Sequence, residues 1–278
     1  MAMMADFGGT SRQSLASART ELDRVVKSLS AGDVTTLAAD LFAIVATLDS
    51  SAPLRRALTD ASRSSADKSA LVKDLFGSKV GSASLALLTQ LAEQKWSSPS
   101  DLGDVVEQLA VEAEASAANL ANELDRLEDE LFAFSRVVIA NGELRQNLNA
   151  QKYSTAAKQA LVESLTKSKV SASTSRVLAH LVAGLRGRNI ESTFSFYASA
   201  ITARRERVIA HVRTAVQLSD SQREKLASTL ASKIGQPVRV NIEIDPTVLG
   251  GVSIRFADEL IDATIVSRLA DAGRALAG

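Results

Sequence analysis

The sequence predicts a mainly α-helical protein in which two tandem helical-bundle copies are followed by a small C-terminal α/β domain. Apolar residues recur at spacings of three and four through the first two thirds of the chain, as on the buried face of a helix. A 60-residue stretch recurs 90 positions later without a gap. After residue 207 apolar and polar residues alternate, which indicates strands.

The composition is that of a globular chain and argues against several functions. Hydrophobic residues make up 46% and charged residues 23% of the sequence. Lys plus Arg equals Asp plus Glu at 32 each, so the basic excess typical of nucleic-acid binding is missing. The absence of cysteine excludes disulfides, Cys-zinc sites and a thiol nucleophile. We find no apolar run near the ~20 residues of a membrane span and no signal-peptide core, so membrane contact is expected only through partners.

The chain is expected to begin with a bundle of five short helices. The first follows Ser11 and is predicted to end at Gly32, a residue type common at helix ends. The second covers the apolar positions from 34 to 48. Pro53 suits the first turn of a short third helix, because a helix needs no amide donor there.

Two more helices complete this bundle. Ser64 or Ser65 can cap a fourth helix, which closes near Gly77. Ser82 opens a fifth, which is expected to end around Trp96. Together the five predict a compact bundle of short helices.

The same bundle is predicted a second time. A shift of 90 positions aligns residues 37–96 with 127–186, and roughly 19 of the 60 pairs are identical. "KSALV" (68–72) recurs as "KQALV" (158–162). Helical composition alone would not keep one register over this length, so we interpret the pattern as a duplicated domain. The predicted boundaries are 10–118 for the first copy and 119–206 for the second.

One helix is predicted to serve both copies. Residues 99–119 align with the last helix of one copy and with the first helix of the other. A turn is expected near Ala121–Asn122, where the register places the end of this helix. A shared helix would couple the bundles stiffly, unlike a flexible linker.

A β-α-β-β-α domain is predicted over residues 207–278. A strand over 207–216 precedes a helix whose start carries a capping box of Ser219 and Gln222. "PVRVNIEI" alternates as a strand does, and "GVSIRF" and "ELIDATI" follow as a strand and its hairpin return. A last helix is expected over 266–276.

The acidic C-terminal stretch does not predict a catalytic site. Asp258 and Glu259 are expected at a turn and Glu243 on the polar face of a strand, where acids usually lie in solvent. A catalytic carboxylate pair needs a cleft that shifts one pKa, and the sequence offers no further polar partner. Gly250 and Gly251 lead into a strand, whereas a phosphate loop leads into a helix. They fit either a turn or the close approach of another backbone.

The remaining polar residues predict neither a metal site nor a nucleophile. His180 and His211 lie in different predicted domains without His or Cys neighbours. The basic run "RRER" (204–207) ends a helix, where positive charge is favoured by the dipole, and no aromatic residues accompany it for nucleic-acid stacking. No serine lies in a G-x-S-x-G elbow. We therefore expect no catalytic residue, metal or cofactor.

The C-terminal stretch "VNIEIDPTVLGGVSIRFADELIDATIVSRL" resembles the signature of the F-type ATP synthase delta subunit, called oligomycin-sensitivity-conferring protein in mitochondria. Ala257 and Ala263 stand where that family usually has glycine. The resemblance covers 119–278 as a normal delta chain, and the extra first copy is similar to the long actinobacterial form. The matching positions are Asp245, Val248, Gly250, Gly251, Ile254, Arg255, Asp258, Ile261, Asp262 and Arg268.

The resemblance implies a non-catalytic stator role. The helical part would hold the N-terminal helix of an α subunit on the α/β head, and the C-terminal domain would hold the b-type peripheral stalk, on the cytoplasmic side of the membrane. The candidate groove between the first and fifth helices consists of Leu15, Leu22, Val25, Leu85, Leu88 and Leu91. The candidate stalk-docking residues are Asp245, Val248, Gly250, Gly251, Arg255, Asp258, Ile261 and Asp262.

Two other functions are compatible with the sequence. A helical adaptor unrelated to ATP synthase would have the same fold and different partners, and co-purification with the synthase head distinguishes the two. A hydrolase using the C-terminal acids would lose activity on Asp245→Asn without losing assembly. The sequence does not decide which helical copy receives the α helix, or whether the chain is freestanding or part of a longer stalk fusion.

Overall fold

The protein is mainly helical, as predicted, with a small sheet near the C-terminus. The computed structural model describes residues 7–234, 238–245, 251–256 and 259–264. The chain divides into two compact units, Met1–Thr202 and Ala203–Gly278, which we call the helical unit and the C-terminal unit.

Twelve helices occur in the described part of the chain. They are α1 (Gly9–Val26), α2 (Ala31–Ser50), α3 (Ala52–Thr59), α4 (Ser65–Phe76), α5 (Ser82–Glu93), α6 (Pro99–Leu120), α7 (Leu124–Ala140), α8 (Gly142–Asn149), α9 (Thr155–Thr166), α10 (Ala172–Ala183), α11 (Ile190–Val208) and α12 (Asp220–Ile234).

The start of α2 corrects one prediction. Gly32 does not end the first helix, which stops at Val26, but lies in the first turn of α2. Ser30 accepts a hydrogen bond from the Asp33 amide, and the Asp33 carboxylate accepts one from the Ser30 amide. This capping box satisfies two of the free donors at the helix start, so it fixes the boundary more strongly than a glycine does.

Helix α6 is the central helix of the helical unit. Every residue from 105 to 119 is buried. It packs against α1, α2 and α3 on the first-copy side and against α7 and α10 on the second-copy side. At its end Asn122 takes a left-handed conformation (φ 58°) in the turn that the sequence predicts at this place. A helix enclosed on all sides must pair any charge that it carries.

Helix α2 qualifies by length and composition as a membrane span, so the expectation that no segment does was wrong. The structure shows the reason for its apolar character. Its buried residues form a wide stripe that packs along α6, which is how the core helix of a bundle is built. Such a helix passes the same test as a membrane span.

Helix boundaries repeat at the offset of 90. Helices α8, α9 and α10 begin and end 90 positions after α3, α4 and α5, and α6 begins 90 positions after α1. A side-chain cap repeats as well. Asp40 on α2 accepts hydrogen bonds from the Gly81 amide and the Ser84 hydroxyl at the start of α5, both at 2.7 Å.

The corresponding residue in α7 caps the start of α10. Glu130 accepts hydrogen bonds from the Ser171 amide at 2.7 Å and from the Thr174 hydroxyl at 2.6 Å. Although burial acts to raise its pKa, the bonds from Thr174 and Ser171 hold the pKa of Glu130 below the usual value. The two carboxylates therefore tie equivalent helix pairs together.

The C-terminal unit contains a four-stranded sheet in the order β2-β1-β3-β4. Its strands are β1 (Ile209–Thr214), β2 (Arg239–Ile244), β3 (Gly251–Phe256) and β4 (Glu259–Thr264). β1 and β2 are parallel and are joined through α12, whereas β3 is antiparallel to β1 and β4. The segment predicted as a hairpin return is thus the fourth strand, β4. The predicted β-α-β-β-α pattern counts only three strands.

One face of this sheet carries the core of the unit, which consists of Ala210, Val212, Leu230, Val238 and Ile254. Ser219 and Gln222 form the predicted capping box of α12, with the Ser219 amide donating to Gln222 Oε1 at 2.9 Å. The predicted last helix over 266–276 lies outside the described residues.

Candidate helix-docking site

The predicted groove residues on α1 and α5 lie mostly in the core of the bundle. Leu15, Leu22 and Val25 are at most 8% exposed. Leu88 and Leu91 are fully buried, and Leu85 alone is partly exposed. Apolar spacing identifies the inward face of a helix but does not distinguish a filled core from a groove that awaits a partner.

A shallow concavity of about 410 Å³ lies on the outer side of α5, next to Leu85. Gln90 spans from α5 to α1, because its Nε2 donates to Ser17 Oγ at 3.4 Å. The Gln90 Oε1 atom is buried and has no donor in the described part of the chain. Of the predicted groove residues, Leu85 lines this concavity. Sequence reasoning missed its other lining residues, which are half-buried or exposed beside the leucine stripe. Its lining residues are Lys73, Ser82, Leu85, Ala86, Thr89, Gln90 and Glu93.

In the predicted second copy, the corresponding surface on α6 and α10 carries helix α2. Phe42 of α2 stacks on His180 of α10, with ring centroids 3.8 Å apart and an interplanar angle of 6°. Burial of His180, with a smaller effect of Arg176, lowers its pKa to about 4. The neutral imidazole is therefore a flat, weakly polar partner for the phenyl ring at neutral pH.

Two buried glutamates of α6 form ion pairs with arginines of two other helices. Glu112, fully buried, accepts from Arg19 of α1 at 2.6 and 2.8 Å. Glu114 pairs with Arg176 of α10. Burial raises the pKa of Glu114, and the hydrogen bond and charge of Arg176 oppose that rise.

A third buried glutamate anchors the loop between α10 and α11. Glu107 accepts two hydrogen bonds from Arg188, at 2.6 and 2.8 Å, and one from the Tyr197 hydroxyl at 3.2 Å. Arg186 lies 3.4 Å from Glu107 and also pairs with Asp49 at the end of α2. Burial raises the pKa of Glu107, and the charge of Arg188 opposes this most.

The predicted stalk-docking residues lie in the C-terminal unit, as far as the structure describes them. Arg255 is exposed on the sheet face opposite the core. Asp245 pairs with Arg213 at 3.3 Å, Gly251 begins β3, and in β4 Ile261 and Asp262 stand opposite Ile254 and Ser253 of β3. Val248, Gly250 and Asp258 lie outside the described residues.

A polar concavity of about 310 Å³ occurs on this open sheet face. Among the described residues no group of three His, Asp or Glu side chains could hold a metal ion. This face presents side chains of both charges, which suits contact with another chain. Its lining residues are His211, Arg213, Glu243, Ser253 and Arg255.

Comparison with known proteins gives a consistent family. The family model described as ATP synthase delta (OSCP) subunit matches residues 111–276. ATP synthase subunit delta of Streptomyces coelicolor is 40% identical over 274 residues, covering 99% of this chain and 100% of that protein. The subunits delta of Thermobifida fusca and Kineococcus radiotolerans are 40% and 38% identical over 270 residues, covering 97% of this chain and 99% and 98% of those proteins. The chain therefore belongs to the ATP synthase delta (OSCP) subunit family.

Proposed function

We propose that this chain is a stator subunit of a proton-translocating F-type ATP synthase, in which it links the catalytic α/β head to the b-type peripheral stalk. The family consists of structural, not catalytic, subunits of ATP synthase. The helical unit would hold the N-terminal helix of an α subunit, and the C-terminal unit would hold the end of the stalk. The chain would reach the cytoplasmic face of the membrane through these partners only.

The observation that carries this proposal is the way in which α6 is enclosed and fixed. Three buried glutamates on one helix pair with arginines from α1, α10 and the loop before α11. Such pairs resist rotation and sliding of the central helix, since either movement would leave a charge buried without a partner. A part that transmits torque needs this rigidity. We propose that it arises from duplication of one bundle, with copies at 10–118 and 119–206 and the C-terminal domain at 207–278.

The strength of a single helix contact supports the use of several joints. About four buried aliphatic anchors gain roughly 6–12 kcal/mol, at about 1.5–3 kcal/mol each. Association costs on the order of 4–15 kcal/mol. One docked helix is therefore a weak joint, and a stator needs the stalk contact of the C-terminal unit as well.

The proposal is tested on inverted membrane vesicles from which this chain has been removed. Adding the full chain is expected to restore binding of the catalytic head and ATP-driven proton pumping. Arg255→Glu, on the open sheet face, is expected to weaken binding to the stalk. Arg223→Glu, exposed on α12, is the matched control and should bind like the unaltered chain. If the full chain restores neither head binding nor pumping, the adaptor function replaces the stator function.

A further inference from the structure

In the second copy, helix α2 shows how a bundle of this kind holds an additional helix. α6 and α10 stand 90 positions after α1 and α5. α2 packs along α6 and reaches α10, where Phe42 stacks on His180. The pair Arg186–Asp49 fastens the end of α2 to the loop that follows α10. A helix of this chain thus contacts both walls of the second-copy surface.

Among the described residues of the helical unit, no helix lies on the equivalent surface of the first copy. Val106 and Ala110 of α6 are fully buried, whereas Ala16 and Thr20, at the same positions of α1, are exposed. The offset also places Gln90 at the position of His180. Gln90 is half-buried.

Two features indicate that this surface is built to be covered. The concavity beside Leu85 lies on the exposed face of α5, between Lys73 of α4 and Gln90, which reaches Ser17 of α1. The Gln90 Oε1 atom is buried without a donor in the described residues, and buried acceptors of this kind are usually satisfied. An apolar side chain and a nearby hydrogen-bond donor on one helix would fill both places, as Phe42 fills the second-copy surface.

We propose that the first-copy surface alone receives an amphipathic helix from another chain, because α2 closes the equivalent surface of the second copy from within. Each chain would then bind one such helix, and the acceptor surface would consist of Ala16, Thr20, Leu85, Thr89 and Gln90. This inference rests on the proposed stator function, in which the helix is the N-terminal helix of the α subunit. Beyond that function, the inference states which helical copy binds the helix and how many helices each chain binds.

The absence of cysteine from the sequence makes a direct test possible. Thr89→Cys and its counterpart Ala179→Cys each place a single environment-sensitive fluorophore on one of the two surfaces. The full chain is titrated with a synthetic peptide of the α-subunit N-terminal helix. We expect one peptide per chain, a saturable change at position 89 and no change at position 179.

A second pair of variants tests the same surface without a fluorophore, so that an effect of the label itself can be recognised. Ala86→Arg adds bulk and charge to the concavity and is expected to weaken peptide binding at least tenfold. Ala133→Arg, also an exposed helical alanine but on α7, should leave binding unchanged. Far-UV circular dichroism of the four variants verifies that the fold is retained.

The outcomes separate this inference from the stator function. Two peptides per chain, or a response at position 179, would overturn the inference although the helix still binds. Unchanged affinity of Ala86→Arg would overturn it as well. If the chain binds the assembled head but not the peptide, the docking helix is wrongly identified and the inference fails while the stator function stands. If the head does not bind either, the stator function itself fails.

Discussion

Replacing Phe42 by alanine should destabilise the helical unit much more than replacing Phe132, although the two occupy equivalent positions of the repeat. Phe42 is 6% exposed and stacks on His180, whereas Phe132 on α7 is 65% exposed. Truncation of a buried Phe costs about 3–5 kcal/mol, of which an aromatic pair accounts for about 0.5–1.5 kcal/mol. The Phe42→Ala variant is expected to lose about 3 kcal/mol, because its ring lies between two packed helices and leaves a cavity there.

An exposed Phe leaves no cavity, so Phe132→Ala should change stability by less than about 0.5 kcal/mol. In a unit of this size 1 kcal/mol shifts Tm by about 2–4 °C, which predicts a loss of roughly 6–12 °C for Phe42→Ala. Urea titration followed by circular dichroism and calorimetry measure both variants. Equal losses, or a loss below about 1 kcal/mol for Phe42→Ala, would refute the packing of α2 onto the second copy.

Three further predictions concern polar groups that join helices of the helical unit. Arg19→Met leaves the Glu112 carboxylate buried without its cation and should cost about 3–5 kcal/mol in urea unfolding, whereas Arg24→Met, on the exposed side of the same helix, should leave the midpoint within error. His180, with a folded pKa of about 4 against 6.5 unfolded, binds its proton first in the unfolded state. Stability should therefore be fully present above pH 6.5 and fall by about 2–3 kcal/mol towards pH 4, and His180→Gln should flatten that slope. Glu130→Ala removes the acceptor of two hydrogen bonds at the start of α10 and should cost about 1–2 kcal/mol, measured by the same titration.

Much of the fold could be predicted because its signals are local. The starts of α3, α4 and α12 follow from Pro53, Ser64 and Ser219, residue types that favour the start of a helix. The sequence pattern does not predict the start of α2, because Gly32 suggests the end of the preceding helix. The capping box of Ser30 and Asp33 satisfies free amides at the start of α2, and a glycine in the first turn does not disturb it.

The docking surface could not be predicted in the same way, because its elements are distant in sequence. His180 contacts a ring at position 42, and only the folded bundle brings the two together. Leu88 and Leu91 have the same spacing as groove-lining residues, yet both are fully buried. Glu107, Glu112 and Glu114 resemble solvent-facing charges of any helix until their arginine partners are known.

Those three glutamates are best understood as constraints on orientation and not as sources of stability. Moving a carboxylate and a guanidinium out of water costs several kcal/mol per ion, and their attraction offsets this only with well-placed hydrogen bonds. An α6 with leucines at these positions would bury more apolar area, but similar apolar side chains would let it turn or slip by a residue at little cost. With arginines from α1, α10 and the loop before α11 fixed on it, α6 has one rotation and one register that leave no charge unpaired. A helix that packs against α1, α2 and α3 as well as α7 and α10 needs that uniqueness, since an error in its register would displace all of them.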